Sequence, residues 1–146
     1  MAPGALALAL SLTAAEPGVR AQFIGGTLPS VAAKSSVRID LSGVETLRLW
    51  SGHNEFTVPF AKVQSIEYGQ NVSRRYAAAI LISPVLLLSK SRKHFVTIAY
   101  TDSDSRQQAL VFRVEKGDIR SVLASLEART GRRIEYQDDE ARKAGQ

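Results

Sequence analysis

Glu67, Asp102 and Asp104, with the imidazole of His94 between the first two in sequence, are the only acid–base set the chain suggests. General acid–base work needs two such groups within reach of one atom, and nothing in their spacing pairs them on one face. His53 stands in the turn cluster Ser51-Gly-His-Asn54 and His94 in a basic cluster, both surface settings for a histidine. Asp102-Ser-Asp104-Ser resembles the start of a calcium loop. The next alternate position is Arg106, however, and no glutamate closes the loop at the EF-hand spacing, so it reads as a turn. Thr130-Gly-Arg-Arg133 and Gly25-Gly26 lack the strand–loop–helix context of a phosphate cradle, and no Walker or dinucleotide pattern is present. The absence of cysteine excludes thiolate catalysis, disulfides and cysteine-ligated metal. Two histidines are too few for a multi-histidine metal site. No catalytic residue, metal or cofactor is assigned. Asn71-Val-Ser73 matches a glycosylation sequon, a short pattern that is common by chance.

Charge is more informative than motif. The formal net charge is +5, from 19 Lys and Arg against 14 Asp and Glu. No acidic residue lies between Glu67 and Asp102, yet Arg74, Arg75, Lys90, Arg92 and Lys93 all do; without these five, the remaining bases and acids cancel. They bracket Tyr76 to Leu88, an almost unbroken apolar run with Ser83-Pro84 at its middle. Thirteen residues of helix rise about 20 Å, short of the roughly 30 Å of a bilayer's hydrocarbon, and Pro84 disfavours a continuous helix. The mature chain is therefore expected to have no transmembrane span.

Three readings of residues 73–94 stay open. The run is core and the charges its solvated shoulders; or Ile80, Leu81, Ile82, Val85, Leu86, Leu87 and Leu88 dip into a lipid interface while Arg74, Arg75, Lys90, Arg92, Lys93 and His94 sit at headgroup level; or the same surface meets a protein partner. Nucleic acid is disfavoured, because the basic residues bracket aliphatics rather than exposed aromatics. The expected function is a non-catalytic binding module that contacts anionic lipid or a membrane-associated partner, with a soluble protein-interaction domain as the alternative.

The elements that must carry this segment are strands first and a helix last. Val37, Ile39 and Leu41, then Leu47 and Leu49, then Phe56, Val58 and Phe60 alternate with polar residues as half-buried strands do. Pro59 cannot donate to a ladder, which predicts an edge strand or a strand end. Val63, Ile66 and Tyr68 continue with an irregularity that suggests a bulge. Val96, Ile98 and Tyr100, a polar turn, and Leu110, Phe112 and Val114 predict a hairpin. Gln22 to Thr27 suggests a short strand broken by Gly25-Gly26. Ile119, Val122, Leu123 and Leu126 fall on one helical face between Asp118, a natural N-cap, and Gly131, a natural C′ residue. Ile134 to Tyr136 suggests a last extended piece, and 137–146 a polar tail, frayed or forming a short helix from Asp138 on. This order predicts a single α+β domain over 22–136, a bent antiparallel sheet or small barrel capped by the helix 118–130.

Residues 1–21 are expected to lie outside that domain. The run Ala5 to Leu12 has the length of a signal-peptide core, and Thr13-Ala-Ala15 and Val19-Arg-Ala21 both have small residues where a signal peptidase reads. No Lys or Arg precedes Arg20, which leaves an Ala-rich disordered leader as the alternative. The first reading implies export to the periplasm or envelope, the second a cytoplasmic protein.

Phe23-Ile-Gly-Gly-Thr27, Val58-Pro-Phe60, Ser65-Ile-Glu-Tyr-Gly69, Arg92-Lys-His-Phe-Val-Thr-Ile98, Tyr100-Thr-Asp102 and Leu126-Glu-Ala-Arg-Thr-Gly131 resemble a group of bacterial uncharacterised exported proteins. The strand order also resembles the pleckstrin-homology-like fold, over about Phe23 to Tyr136. That resemblance implies a binding scaffold without catalytic residues, of a fold whose members bind phosphoinositides or peptides. The chain departs from it in the long apolar insert, where a compact pleckstrin-homology domain has a shorter connection.

Overall fold

A computed structural model describes residues 18–28, 30–72 and 93–146. Eight stretches of alternating sequence become strands: β1 (Val19–Gly26), β2 (Ser36–Asp40), β3 (Thr46–Ser51), β4 (Asn54–Pro59), β5 (Val63–Gly69), β6 (His94–Thr101), β7 (Gln107–Val114) and β8 (Ile134–Tyr136). They form one sheet in the order β4-β3-β2-β1-β7-β6-β5-β8. Among the described residues two helices, α1 (Ile119–Thr130) and α2 (Asp139–Gly145), flank β8 in sequence, and a 3-10 turn (Phe60–Lys62) links β4 to β5.

The fold class is α+β, as the order of elements predicts, but the sheet is neither a closed barrel nor wholly antiparallel. Its edges, β4 and β8, do not meet, and β8 pairs parallel to β5 with Ile66 opposite Ile134 and Tyr68 opposite Tyr136. The cause is local. A helix after β7 carries the chain across the sheet and returns it in the direction of β7, which is also the direction of β5. Gly131 at φ +69° provides the left-handed residue that stops α1, its N–H bonding the Glu127 carbonyl. Asp118 occupies the N-cap position, although its side chain makes no capping bond there.

One boundary differs from expectation. Val19, Arg20 and Ala21, assigned to a leader, belong to β1, where they pair with Ile39, Arg38 and Val37 of β2. A cut after Ala21 would remove three ladder residues from a strand flanked on both sides, because β1 also pairs with β7. Residues 1–17 lie outside the described residues. At the other end, the polar tail takes the short-helix form and docks: Asp138 caps α2, its Oδ1 accepting from the Ala141 N–H at 2.7 Å, and Ala141 is fully buried.

Alternation decides what each face buries. Phe23, Ile39, Leu49, Ile66, Ile98 and Phe112 point to the face on which Ile119, Val122, Leu123 and Leu126 of α1 lie, and one core joins them. Of the apolar residues that alternate along β2 to β4, Leu41 and Phe56 are half-buried, packed at the margin of the core. The opposite face, called the far face below, carries a second, small cluster of Ile24, Val72, Phe95, Ala109 and Val111. β6 is thus buried on both faces, with Phe95, Thr97 and Ala99 on the far side.

Gly25-Gly26 does not break β1 as the sequence suggests. The register against β7 shifts between Phe23 and Gly25, and a Cβ at Gly26 would stand 2.6 Å from the Ala109 carbonyl oxygen. The glycine lets β1 bulge and still lie close to β7. The bulge foreseen after Val63 is present, between Val63 and Ser65. β4 is an edge strand ending at Pro59, as the proline requires.

Candidate functional site

The β5–β6 pairing ends at Gly69 opposite Phe95. The chain passes out through Val72 and back through Lys93, so both ends of segment 73–92 are held at one end of this hairpin. Among the contact residues expected from sequence, Arg74, Arg75, Lys90 and Arg92 lie outside the described residues, as do Ile80, Leu81, Ile82, Val85, Leu86, Leu87 and Leu88. Lys93 and His94, both half-buried, are described at the root of the segment.

His94 begins β6 on the core side, opposite Val114. Its Nδ1 lies 2.5 Å from the Tyr68 hydroxyl, and its ring stacks on Tyr68 with planes 8° apart and centroids at 6.0 Å. Tyr136 meets Tyr68 edge-on at 6.0 Å, and the Arg142 guanidinium lies 5.9 Å above the Tyr136 ring. Edge and stacked contacts of this kind suit the ring quadrupoles. Burial holds the His94 imidazole below its ordinary value, with Lys116 adding to the effect and Glu115 opposing it. Burial likewise raises the Tyr68 hydroxyl. The tautomer of the imidazole sets which of the two groups donates in this contact.

A second basic surface, which the sequence reading missed, lies beside this root on the far face. Phe95 pairs with Arg113, Arg113 with Gln22, and Gln22 with Ser36, one row across four strands. One step along, Arg20 pairs with Arg38. Arg20, Gln22, Lys34, Ser36, Arg113 and Glu115 line an open cavity of about 320 Å³ together with Ala21. Arg113 reaches Glu115 at 3.6 Å and the Gln22 Oε1 at 3.4 Å, which leaves three cations against one carboxylate around the cavity. Each arginine stands at an ordinary polar position of an alternating strand. The row exists only because β1 lies between β2 and β7, and no local signal announces that.

The carboxylates and histidines of the acid–base set are not brought together. His94 and Asp102 flank β6 at opposite ends, about 26 Å apart for eight residues of strand. Glu67 accepts a 3.1 Å bond from Gln137. His53 is exposed in the β3–β4 turn. Asp102 closes the β6–β7 turn, its Oδ1 accepting from the N–H groups of Asp104 and Arg106 at 2.9 Å and its Oδ2 from Gln108 at 2.8 Å. These bonds, the Arg106 N–H foremost, hold its carboxyl below the usual range. Among the described residues no cluster of His, Asp and Glu could hold a metal ion.

No protein-family model matches this chain, and no curated protein matches it significantly.

Proposed function

We propose that the chain is a non-catalytic binding module of the bacterial envelope, which contacts an anionic membrane surface through segment 73–94. The observation that carries this reading is the Gly69–Phe95 pairing. It sets Val72 and Lys93, the described residues on either side of 73–92, at one pole of the sheet. Arg20, Lys34 and Arg113 on the adjoining far face extend the same positive field. The apolar run between the flanking bases supplies the part of the contact that charge alone does not. No helix among the described residues is long and apolar enough to cross a membrane, which fits attachment by an interface segment. The resemblance to pleckstrin-homology-like scaffolds and the apolar leader support, respectively, a binding role and the envelope.

Vesicle flotation tests this. Vesicles rich in phosphatidylglycerol are expected to retain the protein in a salt-sensitive way, and phosphatidylcholine vesicles to release it. Replacing Arg74, Arg75, Lys90, Arg92 and Lys93 by Gln removes contacts worth about 1 kcal/mol each near an anionic surface, enough to abolish retention. A wild-type protein that ignores anionic vesicles at low salt ends the membrane reading and leaves a soluble protein partner at this segment.

A further inference from the structure

The cavity between α1, β8 and α2 is lined by arginines from all three regions. Arg120 belongs to α1, Arg133 immediately precedes β8, and Arg142 belongs to α2. Its volume is about 570 Å³, within the range of small-molecule sites. The floor is made by Leu123, Ala124, Ile134 and Tyr136. Arg120, Leu123, Ala124 and Glu127 recur at the spacing that places them on one stripe of α1, so the helix turns a cation, an apolar patch and a carboxylate to the same side. That carboxylate is engaged: the Glu127 Oε2 accepts the Ile134 N–H at 3.3 Å, joining α1 to the start of β8. Arg142 is positioned over the Tyr136 ring. Among the described residues neither Arg120 nor Arg133 forms an ion pair.

We propose that this cavity binds the phosphate group of a small phosphate ester. A guanidinium presents a planar fork of donors matched to oxyanions and stays charged at any physiological pH. One fork satisfies a carboxylate. Three forks on the lining of one cavity, from a helix, a strand start and a second helix, suit a tetrahedral dianion with three accepting oxygens. The apolar floor of Leu123, Ala124 and Tyr136 takes the organic part of the ester. This site is independent of segment 73–94, and it stands or falls without the membrane reading.

The test titrates the full chain with glycerol phosphate at low salt, followed by NMR of backbone amides. The expected result is saturable shifts centred on Ala124, Ile134 and Tyr136. Arg120→Gln, Arg133→Gln and Arg142→Gln should each weaken binding about tenfold and the triple variant abolish it, with unchanged circular dichroism. Arg20→Gln with Arg113→Gln, on the far face, should leave it unaltered. Replacement of the three arginines by Lys keeps the charge but not the forks, and is expected to restore binding only in part. Phosphatidic acid vesicles distinguish the source: competition with glycerol phosphate assigns the group to a lipid, and lack of competition to a soluble ester. Shifts spread evenly over all basic surfaces, or a triple variant that still binds as wild type, overturn the proposal.

Discussion

The Tyr68 hydroxyl and the His94 Nδ1 are 2.5 Å apart, with the two rings nearly parallel, at the point where segment 73–92 rejoins the sheet. A fully buried tyrosine thereby fixes the rotation of the residue that opens β6. The contact ties the core to the root of segment 73–92, and its stability has a defined pH dependence.

Burial depresses the His94 imidazole in the folded state below the 6.5 of a free histidine. The unfolded chain therefore takes up a proton that the folded one resists, and the stabilisation is complete above about pH 6.5 and lost as pH falls toward the folded-state value. Thermal unfolding followed from pH 7.5 to 5 should show a falling Tm, with a shallower slope in His94→Gln. Tyr68→Phe removes the hydroxyl and should cost about 1 kcal/mol near neutral pH.

Gly145 is a place where α2 lies close against the core. A Cβ there would stand 2.9 Å from Tyr136 Cε1, 3.1 Å from Leu123 Cδ1 and 3.2 Å from Tyr68 Cδ1. Gly145→Ala must push α2 outward or turn the rings, and overpacking of this kind costs about 1–3 kcal/mol. Chemical denaturation should show the loss, and the Tyr136 ring signals should move.

Asp40 is a carboxylate only 1% exposed. Its Oδ1 accepts from the Ser42 N–H at 2.9 Å and the Ser42 hydroxyl at 2.6 Å, and Arg48 Nη2 lies 2.9 Å from Oδ2. The Ser42 hydroxyl leads in lowering its pKa against the cost of burial. Its contribution is present above the ordinary carboxylate value and is lost as pH falls through the lowered one. Ser42→Ala should cost about 1 kcal/mol in denaturant melts, and Asp40→Ala more, because it strands both the turn and Arg48.

Leu126 and Phe112 test the joint between helix and sheet. Both are essentially buried in the main core. Leu126→Ala should destabilise by about 2–5 kcal/mol and Phe112→Ala by about 3–5 kcal/mol, measured by denaturant midpoint. Exposed Ala128 on the same helix, replaced by Ser, should change stability by less than about 1 kcal/mol.

Where a structural cause is local, the sequence carried it. The four apolar residues of α1 repeat at helical spacing, Gly131 stops the helix, Pro59 ends an edge strand, and β6 and β7 are joined by a turn that Asp102 closes. The central place of β1 is not local. Its partners β2 and β7 come from opposite parts of the chain, and Gly25-Gly26 reads as an interruption until the Ala109 carbonyl is seen against it. The extended piece Ile134 to Tyr136 is legible, but its parallel pairing with β5 depends on where α1 returns the chain. The candidate site divides in the same way. The charge asymmetry of 73–94 is visible by counting, whereas the row of Arg113 and Arg20 and the three arginines around Tyr136 depend on strand order and helix docking.

The open sheet leaves two flanks, and both are poor templates for a further chain. β4 presents Asn54, Glu55 and Thr57 to solvent and stops at a proline, while β8 offers three residues. Charge, proline and brevity are the devices that keep sheets from annealing edge to edge. Recruitment by strand addition is thus discouraged at either side, and whatever this molecule engages has to be met by side chains on its faces or at its pole, where recognition can be altered without disturbing the ladder beneath.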